Sequence, residues 1–193
     1  MREDLKKISK VIDTCLACFI EKGLTVTTTK DLCDALGVCN GAIYYYFKTK
    51  EEIVVSCAEE AIDRIEKSAF GFVLENLNDI ADMMDRLGAL ADKLSPTMRF
   101  LVSVCVSKEY GEPVKPYLVK LADRYTYYTD KIAEILGCSA EETEPYVHLS
   151  VLAINNYMIF AERALFEPQI QAAKNGLLKL AGSRGNANRE QNR

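Results

Sequence analysis

The chain has 193 residues, room for one domain or for two small ones sharing a core at about 150 residues per domain, which excludes large catalytic barrels. Hydrophobic residues make up 49% and charged residues 27%, so the chain can bury a core and is neither disordered nor fibrous. The formal net charge of -4 is uneven: residues 1–50 carry eight Lys or Arg against six Asp or Glu, the remainder sixteen against twenty-two, which admits an anionic partner at the N-terminal end only.

Helical periodicity recurs along the chain, and no window shows the sustained period-two alternation or bounded β-branched runs that strands require. The predicted fold class is all-α. A first helix over about Leu5 to Lys22 places Leu5, Ile8, Ile12, Cys15, Leu16 and Phe19 on one face, with Gly23 where a left-handed C-cap is wanted. Thr28 caps a short second helix, with Asp31 three residues on as an approximate capping box, and that helix ends by Gly37. Asn40 to Phe47 reads as a third short helix, and Thr49 with Glu52 opens a longer one reaching about Phe70.

Beyond Phe70, prolines and glycines divide the chain into five expected helices. From Pro116 to Gly137 a single seam runs through Leu118, Leu121, Tyr125, Tyr128, Ile132 and Ile135. A helix over about Glu142 to Leu165 is apolar nearly all round, with Val147, Val151, Ile154 and Met158 on one face and Leu149, Leu152, Ile159 and Phe160 on much of the other. Such a helix must be covered on two sides. Ile170, Ala173, Leu177 and Leu180 mark a last helix, and the polar stretch from Gly182 to Arg193 is expected to be disordered.

Two short helices joined at Gly37 make a helix-turn-helix, held by Leu32, Leu36, Val38, Ile43 and Phe47. At about 3.6 residues per turn, Tyr44, Tyr45 and Tyr46 cannot all be buried. A face of phenols beside Gly41 and Ala42 suits the DNA major groove: hydroxyls reach phosphates, Gly41 lets the backbone approach, and Ala42 or a ring touches a thymine methyl. Lys50 at the first turn of the next helix offers a phosphate both an ammonium and free amides, while Thr27, Thr28 and Thr29 offer hydroxyls to the other strand.

In fixed register the segment reads Phe19, Lys22-Gly23, Thr27-Thr28, Gly37-Val38-Cys39, Gly41, Ile43-Tyr44, Phe47 and Lys50-Glu51-Glu52, and in this it resembles the N-terminal domain of the TetR family of bacterial transcriptional regulators. Cys39 stands where that family has a Ser cap, so Asn40 takes the capping role; Asn40 itself replaces a common basic residue, Ala42 a frequent Thr and Tyr46 a frequent His. The resemblance implies a helix-turn-helix DNA-binding domain over 1–52, its connecting helix running to about 70, packed on a ligand-binding and dimerisation domain over 71–181, with 182–193 as tail. It further implies a homodimer on a palindromic operator, a repressor released by a small molecule. The DNA-facing residues are then Thr27, Thr28, Thr29, Cys39, Asn40, Gly41, Ala42, Tyr44, Tyr45, Tyr46 and Lys50.

The remaining chemistry is sparse. Cys15 and Cys18 form a Cys-x-x-Cys, but no βαβ pattern adjoins and no second ligand pair stands at zinc spacing, so both read as small core residues. Cys39, at a helix start, reads as a replacement for serine or as a redox-sensitive, DNA-contacting thiol. His148 has no nucleophile to serve, and Glu141, Glu142 and Glu144 read as a solvated first helical turn. No metal, cofactor or enzymatic activity is expected. A pocket between helices would be lined by Met98, Tyr110, Tyr125, Tyr128, Tyr157, Met158 and Phe160, aromatic and adaptable side chains that suit a small molecule. The longest apolar run, Cys15 to Ile20, is far short of the ~20 residues that span a bilayer, and the charged N-terminus lacks a signal-peptide core. Membrane association is therefore not expected. A cytoplasmic setting is, with the seven cysteines reduced. The rival reading is a small-molecule or thiol-handling helical protein in which the helix-turn-helix is purely structural.

Overall fold

The computed structural model of the chain describes residues 2–39 and 41–191, the side chains of 2–6, 120–124 and 183–191 excepted. Every regular element among the described residues is helical: α1 (Arg2–Lys22), α2 (Thr29–Leu36), a 3-10 turn (Ile43–Tyr45), α3 (Lys50–Asn76), α4 (Ile80–Cys105), α5 (Gly111–Leu136), α6 (Ala140–Phe160) and α7 (Arg163–Gln191). They form two compact units. One comprises Met1–Ile65 with Pro96–Lys120, the other Glu66–Ser95 with Leu121–Arg193, so that α3, α4 and α5 each contribute to both.

In the first unit, α1 buries Cys15, Leu16, Cys18 and Phe19 at the three- and four-residue spacing of an amphipathic helix. It stops at Gly23, whose φ of 94° only glycine adopts without strain. Leu32 of α2, Ile43, Phe47 and Ile53, Val54 and Cys57 of α3 complete this core. Residues distant in sequence also enter it: Phe100 stacks on Phe19 at 5.8 Å and 22°, and Val104 and Val114 are fully buried.

In the second unit, Met83, Met84 and Leu87 of α4, Ile132 and Ala133 of α5, Val147, Ala153, Tyr157 and Met158 of α6, and Phe166, Ile170, Ala173 and Leu177 of α7 are buried. α6 and α7 approach closely enough that a Cβ on Gly176 would lie 2.0 Å from the Tyr146 ring. Tyr157 donates to Asp92 at 2.7 Å, and Arg163 holds the other oxygen of that carboxylate at 2.9 Å. The Asp92 bond pushes the Tyr157 phenol upward.

Four helices, not five, follow α3, and three of them begin before the sequence places them. Pro116, Pro145 and Pro168 lie inside α5, α6 and α7, each in the second turn. The first four N–H groups of a helix have no internal partner, so a proline this early removes a single bond and does not mark a boundary. α4 likewise runs through Pro96. α6 begins with a capping box that the sequence reading overlooked, Ser139 with Glu142, and ends at Ala161 instead of reaching Leu165. Ala161 adopts the left-handed conformation, φ 59° and ψ 25°, and its N–H donates to the Tyr157 carbonyl. An alanine there carries no sequence signature of a helix end. α7 continues to Gln191, beyond the stop expected at Gly182; once a helix is nucleated each further residue adds one bond, which offsets the glycine penalty of about 1 kcal/mol.

Candidate nucleic-acid interface

The segment from Thr27 to Lys50 is fixed by local hydrogen bonds. Thr28 caps α2: its hydroxyl accepts from Asp31 N–H at 3.2 Å and its own N–H donates to the Asp31 carboxylate at 2.8 Å. Lys22 pairs with the same carboxylate at 2.6 Å. The Lys22 ammonium, followed by the Thr28 donors, holds Asp31 well below the usual carboxylate range, and Asp31 in turn raises Lys22. α2 closes at Gly37 (φ 67°), where Gly37 N–H reaches Asp34 O at 3.1 Å and Val38 N–H reaches Cys33 O at 3.0 Å, a glycine-specific reversal.

The chain then makes a turn in which Ala42 N–H bonds Cys39 O at 2.9 Å, and passes into Ile43–Tyr45. The helix expected over Asn40–Phe47 is thus reduced to a 3-10 turn. Ala42 makes no side-chain cap, and an aromatic run with a glycine at its start has little intrinsic helix preference, so the segment depends on two anchors. Ile43 and Phe47 are buried, tied by Phe47 N–H to Ile43 O at 3.1 Å. The three residues between them face out. Tyr45 is 85% exposed, Tyr44 49% and Tyr46 36%, with Tyr45 and Tyr46 edge to face at 5.1 Å. α3 starts on a displaced capping arrangement: Glu52 N–H donates to Thr49 Oγ1 at 3.1 Å, and the Glu52 carboxylate accepts the Lys48 N–H at 2.6 Å.

Of the residues that the sequence directs at DNA, Gly41, Tyr44, Tyr45, Tyr46 and Cys39 are exposed, Ala42, Thr29 and Lys50 half-buried, and Thr28 exposed with its hydroxyl engaged in the cap. Thr27 is not available. It is buried, and its hydroxyl donates to the Gly23 carbonyl at 2.6 Å, closing the loop after α1. Asn40 lies outside the described residues. The structure adds two cations that sequence reasoning passed over: Lys7 and Lys10 of α1 line a groove with Val38, Ala42 and Tyr46. Their i, i+3 spacing on the polar face of α1 was the available signal.

The residues expected to line a pocket do not converge. Tyr125 and Tyr128 do line a cavity in the second unit, together with Phe70, Met83, Met84 and Ile154. Tyr110 and Met98 belong to the other unit, Tyr157 and Met158 are buried without lining that cavity, and Phe160 is 66% exposed. Aromatic density along the sequence does not report which side of a helix faces a void. His148 is exposed, its ring edge-on to Tyr125 at 6.1 Å.

All seven cysteines are free thiols. Burial pushes Cys15 up to about 12 and also raises Cys57, whose Sγ lies 3.7 Å from Ile12 O. Neither supplies a thiolate. Among the described residues no group of His, Cys, Asp or Glu is arranged to hold a metal ion, and no helix is long and apolar enough to cross a membrane.

Residues 11–57 match the family model of "Bacterial regulatory proteins, tetR family". An uncharacterized HTH-type transcriptional regulator of Bacillus subtilis, YfiR, is 26% identical over 188 residues, covering 91% of this chain and 88% of its own. The HTH-type transcriptional repressor KstR2 of Mycobacterium tuberculosis is 29% identical over 73 residues, 38% of this chain and 32% of that one. A crystal structure of a transcriptional regulator candidate from Rhodococcus sp. RHA1 superposes with a TM-score of 0.62 over 87% of this chain and 93% of its own, at 16% identity; it shares the fold. Capped α2, glycine reversal and anchored turn coincide with the matched residues, so that over residues 11–57 the chain is similar to the tetR family of bacterial regulatory proteins.

Proposed function

We propose that the protein is a homodimeric, cytoplasmic repressor that binds a palindromic DNA operator and leaves it when a small molecule enters the second unit. The observation that carries this reading is the outward display of Tyr44, Tyr45 and Tyr46 between the buried Ile43 and Phe47. Solvent-facing aromatic side chains of this size are costly to leave idle, and phenols serve both phosphate contact and base-edge packing. Lys7, Lys10, Lys48 and Lys50 lie on the same N-terminal segments and supply the salt-dependent part of affinity. Two such segments in a dimer would read half-sites about one helical turn, ~34 Å, apart. Regulation follows if the small molecule prefers a form of the dimer that no longer fits that spacing, since a ligand shifts an equilibrium only by its differential affinity.

Fluorescence anisotropy on DNA from upstream of its own gene, titrated with salt and scrambled competitor, tests the reading. Selective binding that falls steeply with salt and weakens about tenfold in Tyr45→Ala, about 1.4 kcal/mol, is expected. No selective binding there or in a random-sequence selection overturns it in favour of a small-molecule-binding protein with a structural helix-turn-helix. The thiol-handling form of that rival finds little support, because burial raises Cys15, Cys18 and Cys57.

A further inference from the structure

The cavity of the second unit has a volume of about 70 Å³ and is walled by residues of α3 through α7. Its wall is mainly hydrocarbon: the hydroxyl-bearing residues that line it are Tyr125, Tyr128 and Ser150, and no charged residue does. Ser150 Oγ spends its proton on the Tyr146 carbonyl at 2.8 Å. The Tyr125 hydroxyl is buried and has no hydrogen-bond partner among the described residues. A phenol in that condition forgoes a bond that water would have supplied, and buried polar atoms of this kind are rare enough in folded proteins to require a cause.

We propose that this cavity takes an uncharged, mainly hydrocarbon molecule carrying one hydrogen-bond acceptor, and that the acceptor receives the Tyr125 hydroxyl proton. The inference rests on the reading of the second unit as the effector-binding part. Burial raises Tyr125 above the ordinary phenol value, the nearby Thr129 hydroxyl, outside hydrogen-bond geometry, offsets part of the rise and Glu144 adds to it, so the group is a donor throughout the physiological range. A carboxylate or phosphate would lose its hydration with no cation in the wall to replace it, and Glu144 would repel it. A cationic ligand would meet no carboxylate in the wall either. Size follows from the volume: the cavity is smaller than the about 150 Å³ void that takes benzene, so a ring-sized molecule enters only if the wall yields. Met83 and Met84, unbranched and buried in that wall, are the side chains able to do so.

The test uses the full-length protein carrying ¹³C-methyl methionine, titrated with three compounds of similar shape: acetophenone, ethylbenzene and benzoate. The Met83 and Met84 methyl resonances report occupancy. Acetophenone is expected to saturate these shifts about fivefold more tightly than ethylbenzene, the worth of one hydrogen bond, and benzoate to leave them unmoved. Tyr125→Phe should bring acetophenone to the ethylbenzene affinity and leave ethylbenzene unchanged. Ile154→Phe, which fills the void, should weaken both neutral compounds. Benzoate binding as tightly as acetophenone, a ketone preference that survives Tyr125→Phe, or methyl shifts that respond to none of the three would overturn the proposal. A separate anisotropy measurement keeps the two readings apart: benzoate preference in a protein that binds DNA selectively refutes the ligand class alone, whereas neutral ligands that bind as expected to a protein without selective DNA binding refute the regulator alone.

Discussion

At the scale of single residues, the Thr28–Asp31 pair decides whether the recognition end is preorganised. The cap satisfies α2 donors that would otherwise be orphaned, and Lys22 adds an ion pair. Thr28→Ala should cost about 1 kcal/mol, seen as a lower midpoint in urea denaturation. Asp31 is depressed in the folded state, so the unfolded chain binds more protons and stability rises with pH across the window. Its contribution is complete above the ordinary value of 3.8 and is lost as pH falls toward the lower folded value. Acid titrations of the native protein and Asp31→Asn should therefore converge at low pH and separate above about pH 4; parallel curves would show that the carboxylate is not coupled to folding. Thr28, Asp31 and Gly37 were legible because their partners lie within a few positions along the chain. The burial of Thr27 was not, since its partner is a carbonyl that becomes available only when Gly23 has turned the chain.

At the scale of elements, legibility depended on how each helix ends. Glycine closures at Gly23, Gly37 and Gly137 were readable, and each has positive φ. The break between α6 and α7 was not, because Ala161 performs a glycine's task at φ 59°. Left-handed backbone costs an L-residue about 1–2 kcal/mol, part of which returns as glycine's greater freedom when unfolded. Ala161→Gly should thus stabilise the second unit by up to about 1 kcal/mol, measured as a raised melting temperature; a lower one would mean that the methyl group packs usefully. The short 3-10 turn in place of a recognition helix has a different origin. Its sequence offers no cap and its order comes from Ile43 and Phe47, so it is the element whose geometry owes most to burial and least to its own hydrogen bonds.

At the scale of the whole molecule, α6 keeps a second apolar face. Leu152, Phe160 and, on α7, Leu165 are exposed, although the near-complete apolar girth of α6 calls for cover on two sides. A second copy of the chain is the expected cover. Light scattering should give twice the mass of one chain, and Leu152→Glu with Phe160→Glu should halve it while leaving far-ultraviolet helicity intact; an unchanged dimer would locate the interface elsewhere. The sequence exposed the two-faced character of α6 but not the cavity, because a void is defined by what five helices leave unfilled and only two of its aromatic residues stand out in the chain.

The first unit is assembled from two stretches of chain separated by thirty positions, Met1–Ile65 and Pro96–Lys120, with Phe19 resting on Phe100. If this unit reads DNA as proposed, that end cannot be inherited as a contiguous cassette. A gene fusion or recombination event cut at residue 52 or 70 would carry away the recognition turn without Phe100, Val104 and Val114. Such a product would acquire the address but not the scaffold that keeps it legible. On the proposed role of Tyr44, Tyr45 and Tyr46, a change of specificity in this protein is consequently easier by substitution there than by shuffling of segments.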